Sequence, residues 1–312
     1  MNKFKSFILA TSIGFLSFFF SSCKKDNSTL LQPYLIFKFK FDSTQIRLNN
    51  LGQPATVPSG NAAQSGKMNL MSAHYIELTP DAFTQLGKGA ILYHALETSN
   101  GGATAIDFEK AAKAGDGEIF YKIPLKDVPK GNYEWLRISL AYQNGDVKIR
   151  VDTTIERTPN NIEIHEDLTA TMASFIGYNN YIKSFNIKNQ SVIVNGNRKQ
   201  GYWGFETNFN YNGMNIPVKD TGQAPPGTTT VVNPLFNSSP IPQGSCVVTA
   251  AFANGEKLNI TGSETKDIVV ECSFSTNKSI EWTDLIPNGK WEPLKGEKIV
   301  DMGVRGLIPR IY

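Results

Sequence analysis

Histidine, cysteine and tryptophan are scarce in this chain, with three, three and four residues in 312. Three histidines leave little material for the general acid–base chemistry that enzymes run near neutral pH, and three cysteines exclude a small disulfide-dense scaffold. Neither sign of charge dominates: 31 Lys and Arg stand against 28 Asp and Glu, and charged residues make up 19% of the chain. That balance excludes a strongly basic nucleic-acid binder, so no nucleic acid is expected as a partner. With 40% apolar residues the chain is also far from a disordered composition.

Catalytic signatures are missing as well. His165-Glu166 has no second histidine one turn on, as a zinc-protease helix would require, and no G-x-S-x-G elbow occurs. The stretch Gly60–Met68 has one residue too many between its glycines for a phosphate loop, and Met68 stands where a magnesium-binding hydroxyl belongs. No cofactor is implied.

What is present begins with the leader MNKFKSFILATSIGFLSFFFSSC. Lys3 and Lys5 precede an apolar run from Phe7 to Phe20, shorter than the roughly 20 residues a spanning helix needs, so residues 1–22 read as a signal peptide. Ser21-Ser22-Cys23 resembles the lipobox of bacterial lipoproteins, and the Cys-Lys-Lys-Asp start resembles lipoproteins of the Bacteroidota. The resemblance implies a diacylated (palmitate-type) Cys23 at the head of the mature chain and a lipid bilayer as partner. Two acyl chains anchor firmly, whereas one binds reversibly. Lys24 after the cysteine points to the outer membrane, facing either the periplasm or the exterior. The two leader lysines account for two of the net +3, so the mild basicity is partly an export signal.

After a polar tether at residues 23–33 the pattern is all-β. Leu35, Phe37, Phe39 and Phe41 alternate with Lys38 and Lys40, the signature of a half-buried strand. Similar runs follow at Asn69–Leu78, Ala90–Leu96, Glu118–Ile123, Tyr133–Tyr142 and Val147–Thr154. Asn144-Gly145 between the last two reads as a hairpin turn, as do Asn195-Gly196 and Asn254-Gly255. The polar segment Glu156–Asn161, with Pro159, reads as a boundary between two β-sandwich-like domains, 34–157 and 158–312. Within the second half further strands run from Ile182 to Phe274, including Thr228–Val232, and Leu168–Tyr178 reads as a helix.

Alternation groups Cys246 with Val248, Ala250 and Phe252, and Cys272 with Ile268, Val270 and Phe274, so both thiols face a core. Export favours a disulfide between them, adding about 3 kcal/mol if formed; two buried free thiols are the competing reading.

Two binding chemistries can be drawn from side chains. Met71, His74 and His94 lie in adjacent expected strands, and thioether plus imidazole suits copper. Against it, residues three apart in a regular strand face opposite ways, which leaves a core methionine and an ordinary histidine. Trp282 and Trp291 flank the polar loop Thr283–Lys290, where exposed rings can stack on sugars; burial in a core is the alternative for Trp203 and its neighbours. Carboxylates close in sequence, Asp107 and Glu109, Asp116 and Glu118, Glu166 and Asp167, are the material a polysaccharide hydrolase would use. The sequence thus supports a membrane-anchored, non-enzymatic binding or structural module for an extracytoplasmic ligand such as a glycan or an envelope protein. A carboxylate-dependent hydrolase and a periplasmic copper-binding protein are the alternatives.

Overall fold

The computed structural model describes residues 32–312 except 157, 212, 225–239 and 243. The leader, Cys23, most of the tether and the expected strand Thr228–Val232 lie outside the described residues. Residues 32–312 form one compact unit that is nearly all β. Among the described residues no helix is long and apolar enough to cross a membrane.

A seven-stranded sheet is the central layer. Its spine is β9 (Trp135–Ile155), flanked by β3 (Lys67–Thr79) and β10 (Ile162–Phe175). The order runs β14 (Met214–Gln223), β13 (Tyr202–Tyr211), β10, β9, β3, β4 (Ala90–His94), with β15 (Cys246–Ala251) also paired to β9. Three smaller sheets pack on this layer. The first joins β20 (Leu307–Ile311), β17 (Ile268–Ser275), β1 (Tyr34–Asp42) and β7 (Ile119–Pro124). The second joins β12 (Ser191–Lys199), β11 (Asn179–Asn186), β6 (Ala105–Asp107) and β5 (Glu97–Thr98). The third joins β19 (Ile299–Met302), β18 (Ile280–Thr283) and β2 (Asn61–Gln64).

Each packing interface has its own apolar core. The largest lies between the β1 sheet and the near half of the central sheet, where Leu35, Phe37 and Phe39 are fully buried with Phe274, Leu136 and Ile138. The alternation read in β1 is therefore the face that builds the main core, with Phe39 stacked on Phe120 at 4.5 Å between ring centroids. A second core, around Tyr142, Phe175 and Phe185, joins the central sheet to β11 and β12. A third, around Met172, Trp282 and Trp291, joins it to β18.

The expected division at 157/158 gives way to a single body. β9 ends at Ile155 and β10 begins at Ile162, and the two strands pair antiparallel from there to Tyr142 and Phe175, straight across the expected boundary. β1 pairs in parallel with β17 from the far end of the chain, so strands of both halves share sheets. Two further expectations fail for a related reason. Asn144-Gly145 is no turn but the middle of β9: Asn144 is opposite Leu70 on one side and Ala173 on the other, and its Nδ2 donates to the Ile187 carbonyl at 2.7 Å. Leu168–Tyr178 is no helix, because Leu168–Phe175 pairs along β9 and Ala170–Phe175 also along β13. A two-sided ladder satisfies those backbone groups and overrides local propensity. Asn195 keeps the positive φ its type allows (48°), but inside a bulge of β12. Asn254 and Gly255 do form a tight turn with φ of 59° and 71°, linking β15 to β16 (Leu258–Ile260), which pairs with β8 (Gly131–Tyr133).

Cys246 and Cys272 are free thiols, not a disulfide. They belong to strands of different sheets and each fills a place in the main core. Burial pushes the Cys246 thiol up to about 12 and raises Cys272 as well, which suppresses the reactive thiolate. Neither thiol should react with Ellman's reagent in the native protein at pH 8, and both should react once urea unfolds it; rapid native labelling would contradict this packing.

The far end of the β9–β10 hairpin carries a charge ladder. Arg150 Nε bonds Asp152 at 2.9 Å, His165 Nδ1 lies 2.8 Å from Asp152, and Lys290 Nζ bonds Asp167 at 3.0 Å. The bond from Arg150, then that from His165, holds the Asp152 carboxyl down to about 2. A carboxylate whose folded pKa lies below its unfolded value near 3.9 stabilises the fold above that value, and the contribution is lost as pH falls towards 2. A melting series from pH 5 to pH 2 should therefore fall less steeply for Asp152→Asn than for the parent chain.

Candidate functional site

An open cleft of about 610 Å³ lies where the central sheet meets β11 and the turn after β6. Asn69 of β3 and Asn144 of β9 form one wall, Glu109 and Lys113 of the turn a second, and Ser184, Asn186 and Lys188 the third. Phe108, Tyr142 and Phe185 lie beneath.

The wall residues are tied to one another and to buried groups behind them. Asn69 Nδ2 donates to Asn144 Oδ1 at 2.9 Å and to Asp146 Oδ1 at 3.2 Å. Asp146 also accepts from Thr171 Oγ1 at 2.6 Å, and Lys188 Nζ lies 3.4 Å from it. Burial works against the Asp146 carboxylate, but bonds from Thr171 and Asn69 and the Lys188 charge hold its pKa below the ordinary value. Glu206, buried under the third wall, accepts the backbone N–H groups of Lys188, Asn189 and Gln190 at 2.9–3.0 Å. Three N–H groups on one carboxylate oxygen fix that turn and the residues it presents.

The floor rings are engaged with one another, Phe108 with Tyr142 at 4.9 Å and with Phe175 at 4.8 Å. All three floor rings are buried, which leaves the amides and lysines above them as the polar lining of the cleft. Lys113 Nζ sits 4.0 Å over the Phe108 ring. Burial lowers its pKa.

The residues singled out in the sequence are distributed differently. Trp282 and Trp291 are not an exposed pair: they are 0% and 6% exposed in the third core. Trp291 Nε1 donates to the Glu297 carbonyl at 3.3 Å, and Glu297 itself accepts from Leu285, Ile286 and Glu292 N–H. That buried carboxylate draws the loop inward and closes both rings beneath it, so they offer no platform for a sugar. Met71 lies in the main core, away from His74, and is not brought into a site with it. His74 and His94 do come together, with ring centroids 4.6 Å apart, and the third member of their group is Glu97, which no sequence pattern marked. Among the paired carboxylates, Asp107 bonds Lys110, Asp116 bonds Lys40, Glu118 accepts Gly115 N–H, and Asp167 bonds Lys290. Glu109 lies 3.8 Å from Lys183.

Fold and cleft together define an all-β, sandwich-like protein with a pre-formed polar recess at the junction of two sheets. No family model, no curated protein and no solved structure matches this chain.

Proposed function

We propose that this chain is a lipid-anchored protein of the bacterial cell envelope, held in the outer membrane through acylated Cys23, and that it acts as a non-enzymatic binding module for a glycan. The observation that carries the reading is the cleft. Asn186, Ser184, Lys113 and Lys188 stand on β11 and the turns beside it, next to Asn69 and Asn144, which are bonded to each other, and such a polar lining is the chemistry that a hydroxyl-rich ligand requires. Elements locked by hydrogen bonds before the ligand arrives reduce the ordering cost of binding. The lipobox-like Ser21-Ser22-Cys23 supports the anchor.

The full chain in detergent should bind at least one member of a panel of neutral and uronic-acid oligosaccharides by isothermal titration calorimetry. Lys113→Ala or Asn186→Ala should then weaken binding about tenfold, the loss expected for a hydrogen bond or charge contact with the ligand. Absence of binding across the panel, or wild-type affinity in both variants, defeats the glycan reading. For the anchor, Cys23→Ala should abolish incorporation of a fatty-acid probe; unchanged labelling would show that Cys23 is not acylated.

A further inference from the structure

We propose that His74, His94 and Glu97 form a binding site for a divalent transition-metal ion, zinc or copper(II). The site shares no residue with the cleft and does not depend on the glycan reading.

The geometry begins with the backbone. In the β3–β9 ladder Ala73 is opposite Leu140 and Tyr75 opposite Ser139, so His74 is the extra residue of a bulge. Bulges re-aim a side chain. This one turns His74 off the core face that Ala73 and Ile76 share, and towards β4, where His94 is opposite Tyr75. The chain then continues into β5, which begins with Glu97, and Ala95 N–H donates to the His74 carbonyl at 2.7 Å. One donor atom from each of His74, His94 and Glu97 lies within 4.8 Å of the others. His74 Nε2 is 3.1 Å from Glu97 Oε1, close to the ~3.3 Å between adjacent donors of a tetrahedral shell with bonds of about 2.0–2.1 Å.

Two of the three donors are oriented by hydrogen bonds from outside the group, as metal ligands are. Tyr178 OH donates to Glu97 Oε1 at 2.7 Å, leaving the second carboxylate oxygen and further lone pairs for an ion. His94 Nδ1 lies 3.0 Å from the Ala95 carbonyl; donating there makes Nε2 the free acceptor. His74 is buried, and its Nδ1 has no hydrogen-bond partner. Glu97 and His94 are exposed, which supplies an entry path and room for water as a fourth ligand. Two imidazoles and a carboxylate are a borderline donor set, suited to zinc or copper(II) and unsuited to the all-oxygen shells of calcium or magnesium.

Titration of the full chain with ZnCl₂ and with CuSO₄ should show one ion bound per chain. His94→Ala and Glu97→Gln, both at exposed positions, should weaken binding by roughly tenfold or more. His165→Ala and Met71→Leu should leave it unchanged, because His165 is remote in the fold and Met71 is in the core. Copper-loaded protein should show nitrogen superhyperfine structure from two imidazoles in its paramagnetic resonance spectrum, reduced to one in His94→Ala. Failure to bind either ion, or wild-type affinity in both His94→Ala and Glu97→Gln, overturns the site.

Discussion

Arg137→Met or Glu77→Gln is expected to cost about 3–5 kcal/mol in urea-unfolding free energy. The pair is opposite in the β3–β9 ladder, with Nη1 and Oε2 3.9 Å apart and both side chains buried. Glu77 accepts the N–H of Gly87 at 3.0 Å and of Gly89 at 2.6 Å, and Arg137 donates to the Thr84 carbonyl at 2.6 Å. The two charges therefore hold the 80–89 loop over the sheet as well as each other. Removing one leaves the other buried without its counter-charge, which costs more than the pair contributes. The double variant Glu77→Leu/Arg137→Met should recover part of the deficit. What remains is due to the loop groups left unpaired, Gly87 and Gly89 N–H and the Thr84 carbonyl. If the double variant loses the full sum of the single losses, the pairing argument is wrong. Gly89→Ala offers an independent check, since a Cβ there would sit 2.3 Å from the Leu78 carbonyl oxygen.

The second large effect is at Trp282. Trp282→Ala should destabilise by about 3–5 kcal/mol, because a fully buried indole leaves a cavity that a β-sheet core cannot collapse to fill. Trp282→Phe should cost clearly less: ring volume is largely kept, and the indole N–H gives up no hydrogen bond. Neither variant should alter oligosaccharide affinity where the protein remains folded, as Trp282 lies in the third core and the cleft is lined by the second. A Trp282→Phe variant that keeps its stability but loses glycan binding would return the ring to the ligand site and displace the cleft.

Much of the fold was legible along the chain. Leu35, Phe37 and Phe39 announce a strand with one buried face, as do Val270, Cys272 and Phe274, and these are the two strands that pair in parallel at the heart of the main core. Period-2 alternation is a local property, so it survives without knowledge of neighbours. Asn144-Gly145 and Leu168–Tyr178 misled for the opposite reason. Their turn and helix propensities are worth about a kilocalorie per mole or less, and pairing on both edges outweighs that.

The candidate sites were less legible. The expected strands of His74 and His94 lie side by side, but Met71 shares only nearness in sequence with them, and nothing in the residue pattern marks Glu97. A single inserted residue in β3 decides which way His74 points, and no pattern of residue types announces a bulge. The cleft asparagines were equally hidden, since Asn144 reads as a turn residue until β3 and β10 are seen on either side of it.

The amino-acid sequence alone determined the all-β class, the strand faces that build the main core and the absence of a dominant charge, because these follow from composition and short-range periodicity. Tertiary structure alone decided that the two halves share sheets, that Trp282, Trp291, Cys246 and Cys272 are interior, and that Glu97 joins the histidines. Those outcomes depend on strand pairing between residues as far apart as Leu35 and Ile268, and the energy of such pairing resides in contacts that no local stretch of sequence contains.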